Sequence, residues 1–150
     1  MIYQTFWSRA AAAIIDTFLL FPLILIGNQQ GTSSLDWKSV SIIVLQHTYF
    51  IIGHAQYGQT LGKKLLGVKV VRTHEHLPIG WIDAIKRESL HIIVTIYIIV
   101  VMEFKWGEGF LLPGLLVLFL DPIVAVIHPR NRSIRDFIAK TVVIRTSPAA

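Results

Sequence analysis

Residues 10–26, AAAAIIDTFLLFPLILI, form an apolar run that only Asp16 and Thr17 interrupt. A run of seventeen residues reaches the lower end of the length that crosses the hydrocarbon core of a bilayer. Residues 110–127 form a second such run, with Asp121 as its one charge. The two apolar runs between them are shorter, and they cross a bilayer only together with their polar flanks. The sequence therefore predicts four membrane spans, at about residues 10–26, 38–54, 89–103 and 110–127.

The composition and the tryptophans also indicate a membrane protein. Hydrophobic residues make up 53% of the chain, the mean hydropathy is +0.60 and charged residues make up 15%, well below the roughly 25% of a soluble domain. Tryptophan favours the headgroup layer of a bilayer. The four tryptophans stand near the ends of the apolar runs, as Trp7, Trp37, Trp81 and Trp106. Because no linker rich in glycine, serine or proline divides the chain, residues 1–150 are predicted to form a single domain.

The distribution of basic residues predicts the orientation in the membrane. Most lysines and arginines lie in the central loop, after the fourth run or at Arg9, which leaves Lys38 and Lys105 for the opposite side. The positive-inside rule then places both termini and the central loop in the cytoplasm. The predicted fold class is an all-α membrane protein with four transmembrane helices and both termini cytoplasmic.

The charge and the motifs of the chain also restrict the classes of partner that it can have. The net charge is +5, yet the basic residues follow the predicted membrane boundaries and form no nucleic-acid motif, so anionic lipid headgroups are the expected partner. The residues expected to face lipid are Lys63, Lys64, Arg130 and Arg132. The absence of cysteine excludes disulfides and thiolate zinc sites. With no catalytic, metal-binding or cofactor-binding signature, the chain is not expected to be an enzyme.

Two similar hexads point to an internal repeat. An offset of 73 residues aligns residues 70–73, VVRT, with residues 143–146, VIRT. The hexads at 68–73 and 141–146 are rich in β-branched residues, so they are predicted to pair as a two-stranded ribbon in a small cytoplasmic layer. The segment at 58–67 is predicted to add an interfacial helix or turn that buries its leucines and turns its lysines towards headgroups.

Two carboxylates lie within the predicted spans, where an ionisable group costs several kcal/mol unless it is paired or hydrated. Asp16 and Asp121 each lie about 9 Å from the predicted cytoplasmic boundary, and His47 of the second span lies at a similar depth. Two interpretations stay open. In one, the three side chains converge on a cation or proton site. In the other, Asp16 forms a structural ion pair with Arg9, and Asp121 pairs with a basic residue such as Arg130 or caps local structure.

Several groups of residues form a pattern over nearly the whole chain. They are Arg9, Asp16, GQTLGKKLLGVKVV at residues 58–71 and RDFIAKTVV at residues 135–143. This pattern resembles the RDD family of bacterial integral membrane proteins, which is named for one arginine and two aspartates.

The resemblance assigns roles to three residues. It identifies Arg9, Asp16 and Asp136 as the motif residues, with Asp121 as the alternative for the second aspartate. A bidentate interface pair between Arg9 and Asp136 is expected, with Asp16 deeper in the membrane. Lys140 stands where the family pattern has glycine, which puts the turn geometry there in question.

The resemblance implies a protein of the bacterial inner membrane whose biochemical role is mostly unassigned, with cation/proton exchange proposed for some members. The expected function is therefore exchange of a monovalent cation for a proton, or small-ion transport, through intramembrane carboxylates. Four short helices enclose little space, so a homo-oligomer or a partner membrane subunit is expected. The alternative is a non-transporting scaffold or accessory subunit of a membrane assembly that binds anionic lipid.

Overall fold

The computed structural model describes residues 5–27, 37–74 and 77–146 and is mostly helical. The elements are α1 (Phe6–Gly27), α2 (Trp37–Ile52) continued by a π-helical turn (Gly53–Tyr57), α3 (Leu61–Leu65), β1 (Val68–Arg72), α4 (Trp81–Glu103), a 3-10 turn (Glu108–Phe110), α5 (Leu111–Ile127), α6 (Ile134–Ile138) and β2 (Thr141–Arg145). The predicted loop between the first two spans and both chain ends lie outside the described residues.

The four long helices fall where the sequence predicts spans. Within the described ranges, α1 is the one helix that is long and apolar enough to cross a membrane, and α5 is a shorter apolar helix. The helical segment at 37–57 covers the second predicted span. α4 begins at Trp81, ahead of the predicted boundary at about residue 89, so its first two turns carry charged side chains that the sequence analysis assigned to a loop.

Large apolar side chains cover the outer faces of the long helices. Phe18 and Phe119 are 73% and 66% exposed, although transferring such a side chain out of water is worth about 1.5–3 kcal/mol. A continuous apolar surface of this kind suits acyl chains rather than water. Where α4 and α5 meet, the contact residue on α5 is small. A Cβ added at Gly114 would lie 3.1 Å from Cδ1 of Tyr97 on α4. Small residues at helix contacts are typical of membrane bundles.

The short elements form a layer on one side of the long helices. β1 and β2 pair antiparallel, with Val68 opposite Arg145 and Arg72 opposite Thr141, so the predicted pairing of the two hexads is present. The buried cluster of this layer contains Val68, Val70, Ile79 and Val143. The layer therefore has an apolar core of its own, separate from the contacts between the long helices.

The orientation of α3 differs from the prediction at one of its two lysines, Lys63. Leu61 and Leu65 are exposed, whereas Gly62 and Lys63 are buried. The cause is the contact with α1, because a Cβ added at Gly62 would lie 2.3 Å from the backbone oxygen of Ala12. Glycine lets α3 rest directly on α1, and this contact turns the leucines outward.

The 73-residue repeat is also present in the backbone. α6 and β2 begin and end 73 residues after α3 and β1. Lys140, with φ 54°, is the equivalent of Gly67, with φ 61°. The hydrogen bonds repeat too, because the amide of Thr146 donates to the carbonyl of Gly67 at 2.8 Å and the amide of Thr73 donates to the carbonyl of Lys140 at 3.0 Å. The two halves therefore use the same turn, which supports a duplication.

The left-handed backbone at Lys140 explains why the family pattern has glycine there. We predict that Lys140→Gly raises the free energy of unfolding by about 0.5–1 kcal/mol. Relief of roughly 1–2 kcal/mol of left-handed strain exceeds the roughly 0.4–1 kcal/mol that glycine adds to the entropy of the unfolded chain. Thermal unfolding in detergent measures the change. Lys86→Gly, on the exposed face of α4, serves as the control and should lose about 1 kcal/mol. A loss of stability in Lys140→Gly would contradict the strain.

Candidate functional site

A buried carboxylate, Asp136, lies where the long helices meet the layer of short elements. The spacing Ser133-x-x-Asp136 at the start of α6 is a capping box. Accordingly, Oδ2 of Asp136 accepts hydrogen bonds from the amide of Ser133 at 2.9 Å and from its hydroxyl at 3.1 Å. The first part of the orientation of this carboxylate thus comes from residues next to it in the sequence, through the cap of α6.

Two arginines from different long helices contact Asp136. Nη1 of Arg9 on α1 lies 2.9 Å from Oδ2, and Nη1 of Arg87 on α4 contacts Oδ1. Arg87 also donates to the hydroxyl of Thr141 at 3.0 Å. The expected pair of Arg9 with Asp136 is present, but it is not bidentate, because Nη2 of Arg9 donates to the hydroxyl of Ser133 at 3.2 Å.

The charges of this network make Asp136 a permanent anion. Burial alone would raise the pKa of Asp136, but the charges of Arg87 and then Arg9 hold that pKa well below its usual value. Asp136 is therefore suited to hold helices together and unsuited to carry a proton.

The carboxylate of Asp16 caps α3. Its Oδ1 accepts hydrogen bonds from the hydroxyl of Tyr49 at 2.8 Å and from the amide of Gly62 at 2.9 Å. Its Oδ2 accepts a hydrogen bond from the hydroxyl of Thr60 at 2.5 Å. The alternative pair of Asp16 with Arg9 is not formed, because Arg9 contacts Asp136. Asp16 instead satisfies amide and hydroxyl donors at the helix start, which is the role of a capping side chain.

Asp121 caps α6 in the same way. Its Oδ1 accepts a hydrogen bond from the amide of Arg135 at 3.1 Å, and its Oδ2 lies 3.1 Å from Nε of the same residue. The partner is Arg135 rather than the expected Arg130, because the start of α6 lies against α5 at Asp121. Arg135 follows Gly62 by 73 residues, so the two capped amides are equivalent in the two halves, although the aspartates that cap them lie on non-equivalent helices.

Asp16, Asp121 and His47 were predicted to converge on one site, but in the structure each has different partners. Each of the two aspartates caps a different short helix, and Nδ1 of His47 lies 3.0 Å from Oε1 of Glu88. Glu88, on α4, is 2% exposed, and Nδ1 of His91 lies 3.8 Å from the same oxygen. The helix rotations therefore bring His47 to a different carboxylate.

Sequence reasoning missed Glu88, Arg87 and Tyr49. The spacing of Glu88 and His91, three residues apart at the start of an apolar run, was the signal available for the first. Arg87 was counted as a loop charge because the span was taken to begin at residue 89. Tyr49 gave no signal, because an aromatic residue within a span is common. In the part of the chain that the structure describes, no group of three or more histidine, cysteine or carboxylate side chains is arranged to hold a metal ion.

One of the lysines expected to face lipid is buried. Nζ of Lys63 lies 2.6 Å from Nε2 of His54, so the expectation that Lys63 faces headgroups is wrong. The cause is again the glycine contact of α3, which turns the following side chain inward. Burial, reinforced by the charge of the nearby Arg87, lowers the pKa of Lys63 well below its usual value.

The other three basic residues differ in their surroundings. Arg132 is only partly exposed, because its Nε donates to the carbonyl of Thr141 at 3.1 Å and its guanidinium lies 4.1 Å from the ring centroid of Phe137. Its role is therefore at least partly internal. Lys64 and Arg130 are exposed.

Comparison with known proteins finds membrane-protein relatives. The sequence model of a family described as the RDD family matches residues 3–140. A Bacillus subtilis (strain 168) protein with the name "Uncharacterized membrane protein YteJ" is 26% identical over 153 residues, which cover 95% of this chain and 80% of that protein. A Haemophilus influenzae protein with the name "Uncharacterized protein" is 24% identical over 139 residues, which cover 93% of this chain and 76% of that protein. No solved structure matches the chain.

Replacing Asp136 by asparagine tests the buried network. Asp136→Asn should lower the free energy of unfolding by about 3–5 kcal/mol, because two buried arginines lose the anion that they share. Folding lowers the pKa of Asp136 below its ordinary 3.8. The stabilisation is therefore complete above that value and is lost as the pH falls through the folded pKa. Denaturation in detergent, followed by circular dichroism, should show a steeper loss below about pH 4 for the wild type than for the variant.

Asp83→Asn is the matched control for this variant. Asp83 pairs with Arg72 at 2.8 Å, but Arg72 is half exposed. An exposed pair of this kind is worth about 0–1 kcal/mol. Equal losses in the two variants would show that Asp136 does not hold the helices together.

Proposed function

The chain belongs to the RDD family and is a membrane protein, and from this premise we propose that it crosses the bacterial cytoplasmic membrane four times. In this topology α1, α2, α4 and α5 are the spans, and both termini and the layer of short elements lie in the cytoplasm. Support comes from the tryptophans, all of which are at least half exposed near helix ends: Trp7, Trp37, Trp81 and Trp106.

Helix lengths support the same topology. Residues 37–57 form a continuous helical segment that rises about 30 Å, the thickness of the hydrocarbon core. α1 is slightly longer and α5 slightly shorter, and tilt accommodates such differences. The basic residues of the layer support its cytoplasmic location.

Two exposed lysines at opposite ends of α4 offer a test of this topology, because the chain contains no cysteine. Lys86→Cys and Lys105→Cys are prepared separately and treated with a membrane-impermeant maleimide. We expect labelling of Lys105→Cys in intact cells and of Lys86→Cys only after permeabilisation. The reverse pattern would invert the topology, and labelling of both in intact cells would exclude α4 as a span.

For the function, we propose exchange of a small monovalent cation for a proton at Glu88. The proposal is supported by the two imidazoles of His47 and His91 beside this buried carboxylate. Histidine changes its charge in the physiological pH range, and a carboxylate within a membrane protein binds either a cation or a proton. The three groups together therefore supply both halves of an exchange.

The motif aspartates are less suited to this chemistry. Asp16 accepts three hydrogen bonds and Asp136 contacts two arginines. Release of these donors would separate a short helix from the bundle. For this reason the proposal places the exchange at Glu88 rather than at Asp16 or Asp121, where the sequence analysis expected it.

Glu88→Gln tests the exchange, since glutamine keeps the size of the side chain and cannot ionise. In proteoliposomes with a pH gradient, the wild type should move sodium or potassium against protons. Glu88→Gln should fall to the rate of protein-free vesicles while eluting from a sizing column like the wild type. Asp83→Asn, on the same helix, should keep the wild-type rate. A normal rate in Glu88→Gln would remove Glu88 from the mechanism.

The second candidate function is that of a non-transporting accessory subunit or scaffold. It is supported by the structural use of all three motif residues, Arg9, Asp16 and Asp136, and by the broad apolar outer faces. If the protein is an exchanger, we expect a homo-oligomer. If it is an accessory subunit, we expect a complex with a larger partner protein. Gentle solubilisation followed by mass measurement separates them, because a stoichiometric partner, together with no cation flux in the wild type, would favour the accessory subunit.

A further inference from the structure

A pocket opens where α2 ends and α3 begins. Its volume is about 480 Å³, within the roughly 300–1,000 Å³ of small-molecule sites. Ile52, Tyr57 and Leu61 contribute apolar surface to the wall, and Gln59 and Lys64 contribute polar groups. The pocket is therefore amphipathic.

The internal repeat shows that this pocket is particular to the first half. The residues 73 positions after Gln59 and Lys64 are Arg132 and Phe137. In the second half these two side chains close on each other, because the guanidinium of Arg132 lies 4.1 Å from the ring centroid of Phe137. In the first half the equivalent pair is amide and ammonium, which do not stack, and the space between them and the end of α2 stays open.

The pocket lies at the height of a membrane surface. If Trp37 marks one boundary, the helical segment that it begins reaches the other boundary about 30 Å away, at Tyr57. Tyr57 is 63% exposed, and Leu61 beside it is also exposed. Lys64 forms no ion pair with the part of the chain that the structure describes. An exposed lysine above apolar surface is the arrangement that meets a phosphate above an acyl chain.

We infer that the pocket binds one anionic phospholipid of the cytoplasmic leaflet. The acyl chain lies against Ile52 and Leu61, and the phosphate pairs with the ammonium of Lys64. Charge complementarity selects an anionic over a zwitterionic headgroup. The inference rests on the four-span topology proposed above and does not depend on cation exchange at Glu88.

The bound lipid also touches the capping contact of Asp16. Tyr49 and Thr60 line the pocket, and their hydroxyls donate to Asp16. A lipid seated there shields these hydrogen bonds from water and presses α3 onto α1. Binding to the folded state alone raises the temperature of unfolding, so lipid occupancy is readable as thermal stability.

The test is native mass spectrometry of the full chain in detergent, titrated with phosphatidylglycerol and, separately, with phosphatidylcholine. The wild type should bind one phosphatidylglycerol more tightly than phosphatidylcholine. Lys64→Gln should weaken phosphatidylglycerol binding roughly fivefold, the factor that corresponds to the contribution of one lysine near an anionic surface. Ile52→Trp should abolish tight binding, because the indole fills the pocket.

Two variants outside the pocket are the matched controls. Lys86→Gln removes the same charge on α4, and Leu65→Trp adds the same indole on the exposed face of α3. Both should keep the wild-type affinity and the lipid-dependent rise in unfolding temperature. If Ile52→Trp does not fold, the comparison of Lys64→Gln with Lys86→Gln still decides the matter.

Any one of the following results would overturn the inference. Equal affinity of the wild type for the two lipids, or equal losses in Lys64→Gln and Lys86→Gln, would mean unspecific contact with lipid. Displacement of phosphatidylglycerol by inorganic phosphate alone would reduce the pocket to an anion site. A dimer that Ile52→Trp dissociates would make a second copy of the chain the occupant. These results are measured independently of the labelling of α4 and of flux through Glu88. Failure of lipid binding is therefore distinguishable from failure of the proposed topology or of the proposed exchange.

Discussion

One carboxylate shared by two buried arginines holds this protein together. Asp136 is oriented by the cap of α6, and it receives Arg9 from α1 and Arg87 from α4. A buried charge without its partner costs more free energy than the pair contributes. The positions of the three helices are therefore interdependent, and the ribbon that follows α6 is positioned by the same contacts.

The aspartates within the apolar runs follow a related rule. A carboxylate on a long helix is stabilised when a short helix brings its free amide groups to it. Asp16 does this for α3 and Asp121 for α6, and the amides that they accept from, those of Gly62 and Arg135, are equivalent in the two halves. The polar groups of the bundle are thus explained by the layer beside it, and the layer is held in place by those same polar groups.

Local patterns in the sequence predicted what depends on neighbours along the chain. The apolar runs and the β-branched hexads are of this kind, and the pairing of Arg9 with Asp136 followed from the family resemblance. Helix rotation was not predictable, because it depends on contacts such as that of Gly62 with Ala12. That rotation buried Lys63 and exposed Leu65. The rotations of α2 and α4 likewise brought His47 to Glu88, which no spacing within one run could reveal.

The network of Asp136 has a consequence for the order of biosynthesis. The ribosome delivers Arg9 first, then Arg87, and the shared anion Asp136 after both. From the synthesis of Arg87 until that of Asp136 the nascent chain thus contains two guanidinium groups that will be buried but lack their counter-ion, and water or lipid phosphate must solvate them. Docking of α6, which carries Asp136, is then the step that joins the inserted segments into the tertiary structure. A chain released before that point retains its membrane segments but exposes uncompensated charge, a difference that quality-control proteases can detect.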